Sequence, residues 1–227
     1  MSEEKEKETE IQIKNNVWSE LQSKSVTCSQ KLQHAFCANT EYAICMFNIQ
    51  LSGNVGMTMR TACAMGFEKF IICGRHHYDK RFTVGAHNYI DVVYWNEPIK
   101  VTITTLSRKL INKNPSDQQQ YKETIEYFPE AFITNCQIHG YTPIFIEQGG
   151  NDIRTREWKH VSKPMLVLGN ESFGIPRDFM RVVCNAIPDA QIISIPQWSV
   201  LRSLNIANAA TIAMWELRSK NKFEMIV

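Results

Sequence analysis

Apolar segments of strand length alternate with helix-length stretches along most of this chain, and nothing else in the sequence restricts its fold as strongly. EYAICMFNI (Glu41–Ile49) reads as a buried strand, Asn54–Gly66 as a helix, and FEKFIICG (Phe67–Gly74) as a second strand. Further candidate strands are Tyr89–Tyr94, Thr142–Ile146, Met165–Leu168 and Gln191–Ile195. Continuous apolar strands separated by helices imply an α/β fold, a mainly parallel sheet with helices on both faces. Ile99–Asn112 reads as a helix, and the polar NPSDQQQYKE stretch, Asn114–Glu123, as an insertion or loop. Ser203–Lys220 predicts a long packed helix with Leu204, Ala207, Thr211, Met214 and Trp215 on one face.

At 227 residues, with 44% hydrophobic and 21% charged, the chain can bury one sizeable core and little more. The division this predicts is a disordered charged tail over 1–10 (MSEEKEKETE), a helical extension over 11–40, the main domain over 41–220 and a short tail over 221–227. No run approaches the roughly 18 apolar residues of a membrane span. The expected setting is therefore soluble and intracellular, in the cytoplasm, with a nuclear or organellar site left open. Seven scattered cysteines without a Cys-x-x-Cys pair are expected to be reduced and mostly packed. His76 and His77 lie near Cys73, but the spacing matches no standard zinc pattern, so no metal is expected. A net charge of +2 confines any nucleic-acid site to a local patch.

Three segments carry candidate chemistry. LSGNVGMTMRTACAMGF (Leu51–Phe67) places Gly53 and Gly56 around Asn54, ahead of Arg60. Such glycines let backbone approach a ligand, although a helix cap followed by a surface arginine is the simpler reading. LVLGNESFGIPRDFM (Leu166–Met180) is a strand ending in Gly169-Asn170-Glu171, where open α/β sheets bind ligands, and then Gly174-Ile175-Pro176 opening a helix. Turn grammar accounts for the glycines and proline there but not for the acidic Glu171. ISIPQWSVLRSLN (Ile193–Asn205) ends in Ser203, a natural N-cap for the last helix. The Gly-x-Gly-x-x-Gly turn of dinucleotide-binding sheets is absent after the first strand, which disfavours an ordinary Rossmann-type enzyme.

Taken in order, Asn-x5-Arg, Gly-Asn-Glu-x-x-Gly-Ile-Pro and Ile-Pro-x6-Ser-Leu-Asn closely resemble the three motifs of the SpoU/TrmH enzymes, a branch of the SPOUT superfamily. The resemblance runs from about Glu41 to Arg218. Glu147–Gly150 (EQGG) and the second and third motifs look most like the eukaryotic tRNA ribose methyltransferases that act on the D-loop guanosine, while Asp79–Val92 is also similar to bacterial relatives that modify the wobble nucleotide. The resemblance implies a deep trefoil knot from about Thr142 to Met214, with S-adenosylmethionine as cofactor. It would be held near Ile146, Gly169 and Ile195, with Ser203 and Leu204 completing the pocket. The same likeness assigns catalysis to Arg60, Asn54, Glu171, Ser203 and Asn205. A guanidinium is rarely a proton acceptor, so Arg60 is expected to hold the target phosphate and the developing alkoxide, with Glu171 fixing Arg60 or Asn205. RNA, tRNA favoured, is the implied substrate, with a homodimer through the knot helices as the implied assembly.

After the second strand, Arg75, His76, Lys80 and Arg81 form a basic stretch with Tyr78 and Phe82 available for stacking, a combination suited to loop RNA, although a plain solvated loop reads equally well. The alternatives are a ribosomal RNA 2′-O-methyltransferase and a catalytically silent knotted RNA-binding accessory subunit. A separate accessory subunit could also supply recognition to an active enzyme.

Overall fold

The computed structural model describes residues 42–75, 77–106, 120–158 and 161–220. Expectations for the amino-terminal tail and extension, the carboxyl-terminal tail and His76 lie outside the described residues.

Six strands form one wholly parallel sheet: β1 (Ala43–Phe47), β2 (Lys69–Cys73), β3 (Asp91–Trp95), β6 (Thr142–Asp152), β7 (Pro164–Leu168) and β8 (Gln191–Ser194), in the order β3-β2-β1-β7-β6-β8. Every residue of β1 and β7 is buried, which explains the unbroken apolar runs AICMF and PMLVL: a strand covered on both faces has no polar side. The described residues also hold helices α1 (Ser52–Ala64), α2 (Lys80–Thr83), α3 (Pro129–His139), α4 (Arg177–Ala186) and α5 (Ile206–Lys220) and two short 3-10 turns, Ala86–Asn88 and Ile153–Thr155. One core joins alternate sheet residues to α1 and α5, through Met59, Ala62, Ala210, Met214 and Leu217. The other joins the opposite face to α3 and α4, through Phe132, Cys136, Phe179 and Val183. The parallel sheet covered on both faces is therefore present.

Several local expectations need correction. Over its described part the stretch read as a helix from Ile99 is a strand: β4 (Ile99–Leu106) pairs antiparallel with β5 (Gln120–Tyr127), which begins inside the stretch read as a loop. The β-branched run IKVTIT alternates with period two, a strand signal that outweighs sparse apolar positions at helical intervals. Val101, Ile125 and Tyr127 pack this hairpin on the α3/α4 core. Helix α3 went unread despite Pro129 at its first turn and Gly140, at φ 71°, just past its end. Gly53 and Gly56 admit a neighbouring helix and not a ligand: a Cβ at Gly56 would lie 2.8 Å from Asp79 O and Phe82 Cβ. On α5 the buried face is Ala207, Ala210, Ala213, Met214 and Leu217, leaving Trp215 62% exposed.

Of the cysteines in the described residues, Cys45, Cys73 and Cys136 are buried and Cys63 and Cys184 half-buried, all as free thiols. Among the described residues no helix is long and apolar enough to cross a membrane, and no cluster of His, Cys, Asp or Glu could hold a metal ion.

Candidate active site

Strand order reverses at β1. The chain runs outward through β2 and β3 on one side, and β7, β6 and β8 occupy the other. Open α/β sheets bind ligands outside the carboxyl ends of strands at such a switch point. A crevice of about 740 Å³ opens there, walled by the ends of β6, β7 and β8 and by the start of α1. Its lining includes Ile146, Gly169, Ile195, Ser203 and Leu204, the residues expected to hold a cofactor, together with Asn54, Glu171 and Asn205.

The last three form one network. Glu171 accepts hydrogen bonds from Gln50 N (2.8 Å), Leu51 N (3.0 Å) and Asn54 Nδ2 (3.0 Å). Asn54 Oδ1 in turn accepts from Asn205 Nδ2 at 3.2 Å, and Asn205 Oδ1 accepts from Ala207 N (2.9 Å) and Asn208 N (3.4 Å). Glu171 thus caps the start of α1 from across the crevice, where anionic charge complements the helix dipole. Burial alone pushes its carboxyl up, but the donors from Gln50, Asn54 and Leu51 outweigh that and hold it below the usual value. Glu171 therefore fixes Asn54 and touches neither Arg60 nor Asn205 directly. Asn205, not Ser203, caps the last helix, which starts at Ile206, because only its carbonyl reaches the first free N–H groups.

Arg60 is not brought to this crevice. It lies exposed on α1 and is not among the lining residues, because six residues along a helix turn a side chain about 120° away from Asn54. The basic stretch lies elsewhere too. Arg75 is half-buried, Lys80 is exposed, and Arg81 is exposed with its guanidinium paired to Asp79 at 2.6 Å. None of these lines the crevice.

Three polar residues that the motif reading left without a role hold the crevice together. Asn170 is 4% exposed. Its Nδ2 donates to Asn48 O (2.8 Å), and its Oδ1 accepts from Ser172 N (2.8 Å) and Phe173 N (3.2 Å). Glu147 Oε2 accepts from Ile175 N at 3.2 Å, and Gln148 Nε2 donates to the backbone carbonyl of Arg202. Sequence could have flagged Asn170 as an Asx turn, since a short amide before Ser-x-Gly readily bonds its own downstream backbone. The two glycines of this turn are required by geometry: a Cβ at Gly169 would lie 2.5 Å from Ile175 Cγ1, and Gly174, at φ 67°, would place one inside the Glu147 carboxylate.

Fold and site together define a parallel α/β protein with a ligand crevice at its switch point, lined by apolar strand ends and by a carboxylate–amide network. Residues 107–215 match the model of the SpoU rRNA Methylase family. Over 103 residues it is 29% identical to the tRNA (guanosine(18)-2′-O)-methyltransferase TARBP1 of Mus musculus, a match covering 43% of this chain but only 6% of that protein. Among solved structures, the AdoMet-bound rRNA methyltransferase of Sinorhizobium meliloti aligns with a TM-score of 0.59 at 23% identity, covering 84% of this chain and 60% of that one. The A. aeolicus TrmH/SpoU tRNA modifying enzyme aligns with a TM-score of 0.57 at 14% identity, covering 86% and 84%. At those identities the structural likeness speaks for the fold.

Proposed function

We propose that this chain transfers a methyl group from S-adenosylmethionine to a ribose 2′-hydroxyl of RNA, with tRNA the favoured substrate and a D-loop guanosine the favoured target. The observation that carries this reading is the convergence of Asn54, Glu171 and Asn205 on a crevice lined also by Ile146, Gly169, Ile195, Ser203 and Leu204. The domain match over 107–215 and the likeness to the mouse tRNA guanosine methyltransferase support the substrate class.

The crevice suits such a cofactor. Apolar Ile146, Leu168 and Ile195 offer a slot for a flat purine, and the bare Gly169 backbone allows the close approach that hydrogen bonding to its polar edge requires. When bound, the cofactor supplies a methyl group on a sulfonium, already a good leaving group. The protein's part is to orient the hydroxyl and take charge of its proton. Both ends of the Asn54 amide are engaged, Nδ2 donating to Glu171 and Oδ1 accepting from Asn205. The groups this reading assigns to a ribose are the second Nδ2 hydrogen of Asn205 and the Ser203 hydroxyl, which has no partner among the described residues. Glu171 keeps Asn54, and through it Asn205, in the orientation that leaves that hydrogen facing the crevice.

Two further parts of this reading concern architecture. A trefoil knot over about Thr142–Met214 is supported by α5, which follows β8 at the sheet edge yet packs back on β6, β7 and the 3-10 turn between them. A homodimer built on α5 is supported by its exposed Ile212 and Trp215, and it would let Arg60 of one copy reach the crevice of the other to hold the target phosphate and developing alkoxide. The family name and the Sinorhizobium structure favour ribosomal RNA as the second reading of the substrate. Incubation with labelled S-adenosylmethionine and total RNA, followed by mapping of the modified nucleotide, tests the proposal. Label in a tRNA ribose is expected, and label in protein or DNA with none in RNA would overturn it.

A further inference from the structure

Two side chains at the mouth of the crevice have no structural use. Phe173 stands 63% exposed on the turn after β7 although it is a large apolar group, and it lines the crevice. Its backbone is nevertheless pinned. Phe173 N donates to Asn170 Oδ1, Asn170 and Gly174 exchange backbone hydrogen bonds of 3.2 and 2.9 Å, and Glu147 holds the next amide, Ile175 N. Arg202, on the loop after β8, shows the same combination. Its carbonyl is held by Gln148, while its exposed guanidinium makes no hydrogen bond or ion pair among the described residues. By contrast Arg81, Arg154 and Arg181 each pair with a nearby aspartate. Both carboxylates of the lining, Glu147 and Glu171, are already occupied by backbone N–H groups, so Arg202 is the free charge on these walls.

An aromatic face and an unpaired guanidinium, each exposed and borne on a different wall of one crevice, suit a strand of single-stranded nucleic acid: bases stack on the ring, and the fork of N–H donors grips a phosphate. We propose that Phe173 and Arg202 form an RNA-docking rim that holds the nucleotide flanking the target, Phe173 by stacking and Arg202 by its phosphate. This rests on the RNA reading of the crevice and assigns to its mouth the recognition that the Arg75–Arg81 stretch does not supply there.

The test uses the full chain and its Phe173→Ala, Phe173→Tyr, Arg202→Ala and Arg202→Lys variants. A fluorescein-labelled tRNA D-arm hairpin is titrated by anisotropy across a range of salt, and S-adenosylmethionine by calorimetry. Phe173→Ala should weaken RNA binding about ten-fold, with Phe173→Tyr near wild type. Arg202→Ala should reduce the slope of log affinity against log salt by about 0.7, and Arg202→Lys should preserve that slope while losing affinity. Cofactor affinity should move by less than about two-fold in every variant. The rim is overturned if the wild type does not bind the hairpin, if neither alanine variant changes RNA binding, or if Arg202→Ala weakens the cofactor and spares the RNA. Competition by a poly-glutamate peptide as strong as that by unlabelled hairpin would also overturn it, in favour of an acidic protein partner. Methylation of the same hairpin by the wild type reports the functional reading separately: binding that responds to the variants without methyl transfer sinks that reading and leaves the rim standing.

Discussion

Replacing Glu171 with glutamine isolates the charge of one carboxylate from its shape. In the native chain that carboxylate accepts three N–H groups, from Gln50, Leu51 and the Asn54 side chain. A glutamine can keep one oxygen as acceptor but turns an NH2 toward the donors served by the other. The loss is one charge-assisted hydrogen bond, about 1.5–3 kcal/mol, together with the favourable anion at a helix start, about 0.3–1 kcal/mol. Because Glu171 is only half-buried, the lower part of the combined range applies, and a net cost of about 2–3 kcal/mol is expected. For a chain of this size that corresponds to a fall in Tm of about 5–10 °C.

The pH dependence sharpens this test. The folded-state pKa of Glu171 is depressed, so its charge stabilises the fold fully above the unfolded value of about 4.3 and progressively less as pH falls through the lower folded value. Thermal melts followed by circular dichroism should show a Tm gap between wild type and Glu171→Gln that is constant above about pH 5 and narrows as pH falls below the unfolded value and through the lower folded one. A gap under about 1 °C at neutral pH, or one that persists undiminished into acid, would refute the reasoning.

Asn205→Ala removes the cap of α5 and the partner of Asn54 Oδ1. It should cost about 1 kcal/mol in urea unfolding and should lower methyl transfer far more than cofactor affinity. Gly174→Ala forces a left-handed backbone on a residue with a Cβ and drives that atom into Glu147; a cost of at least about 1–2 kcal/mol, with loss of S-adenosylmethionine binding by calorimetry, is expected. Arg218→Met breaks the bonds from its guanidinium to the Met65 (2.6 Å) and Gly66 (3.0 Å) carbonyls at the end of α1, and its stacking over Tyr42. A loss of about 2 kcal/mol should appear as a lower denaturant midpoint, only partly restored in Arg218→Lys.

How much could be read in advance depended on the range of the forces involved. The strands β1 and β7 were legible because a run buried on both faces is apolar at every position, a property written in consecutive residues. The β4 strand carried an equally local signal, but its partner β5 is polar in sequence, and pairing between them is what makes either a strand. Ser203 looked like the helix cap because the choice between it and Asn205 turns on two residues of helix start, which composition does not resolve.

By itself, then, the sequence determined the buried parallel strands and the ordered motifs that resemble those of SpoU/TrmH enzymes, since each depends on near neighbours along the chain. Only tertiary structure decided which motif residues meet. Glu171 and Asn54 lie 117 residues apart, and Asn54 and Asn205 151 apart, and they touch because β7 inserts beside β1 and returns its carboxyl end to the start of α1. The same geometry turns Arg60 away from the crevice and brings Phe173 and Arg202 to its mouth. The physical reason is that helix phase and strand order set the direction of each side chain, and strand order is chosen by burial over the whole sheet.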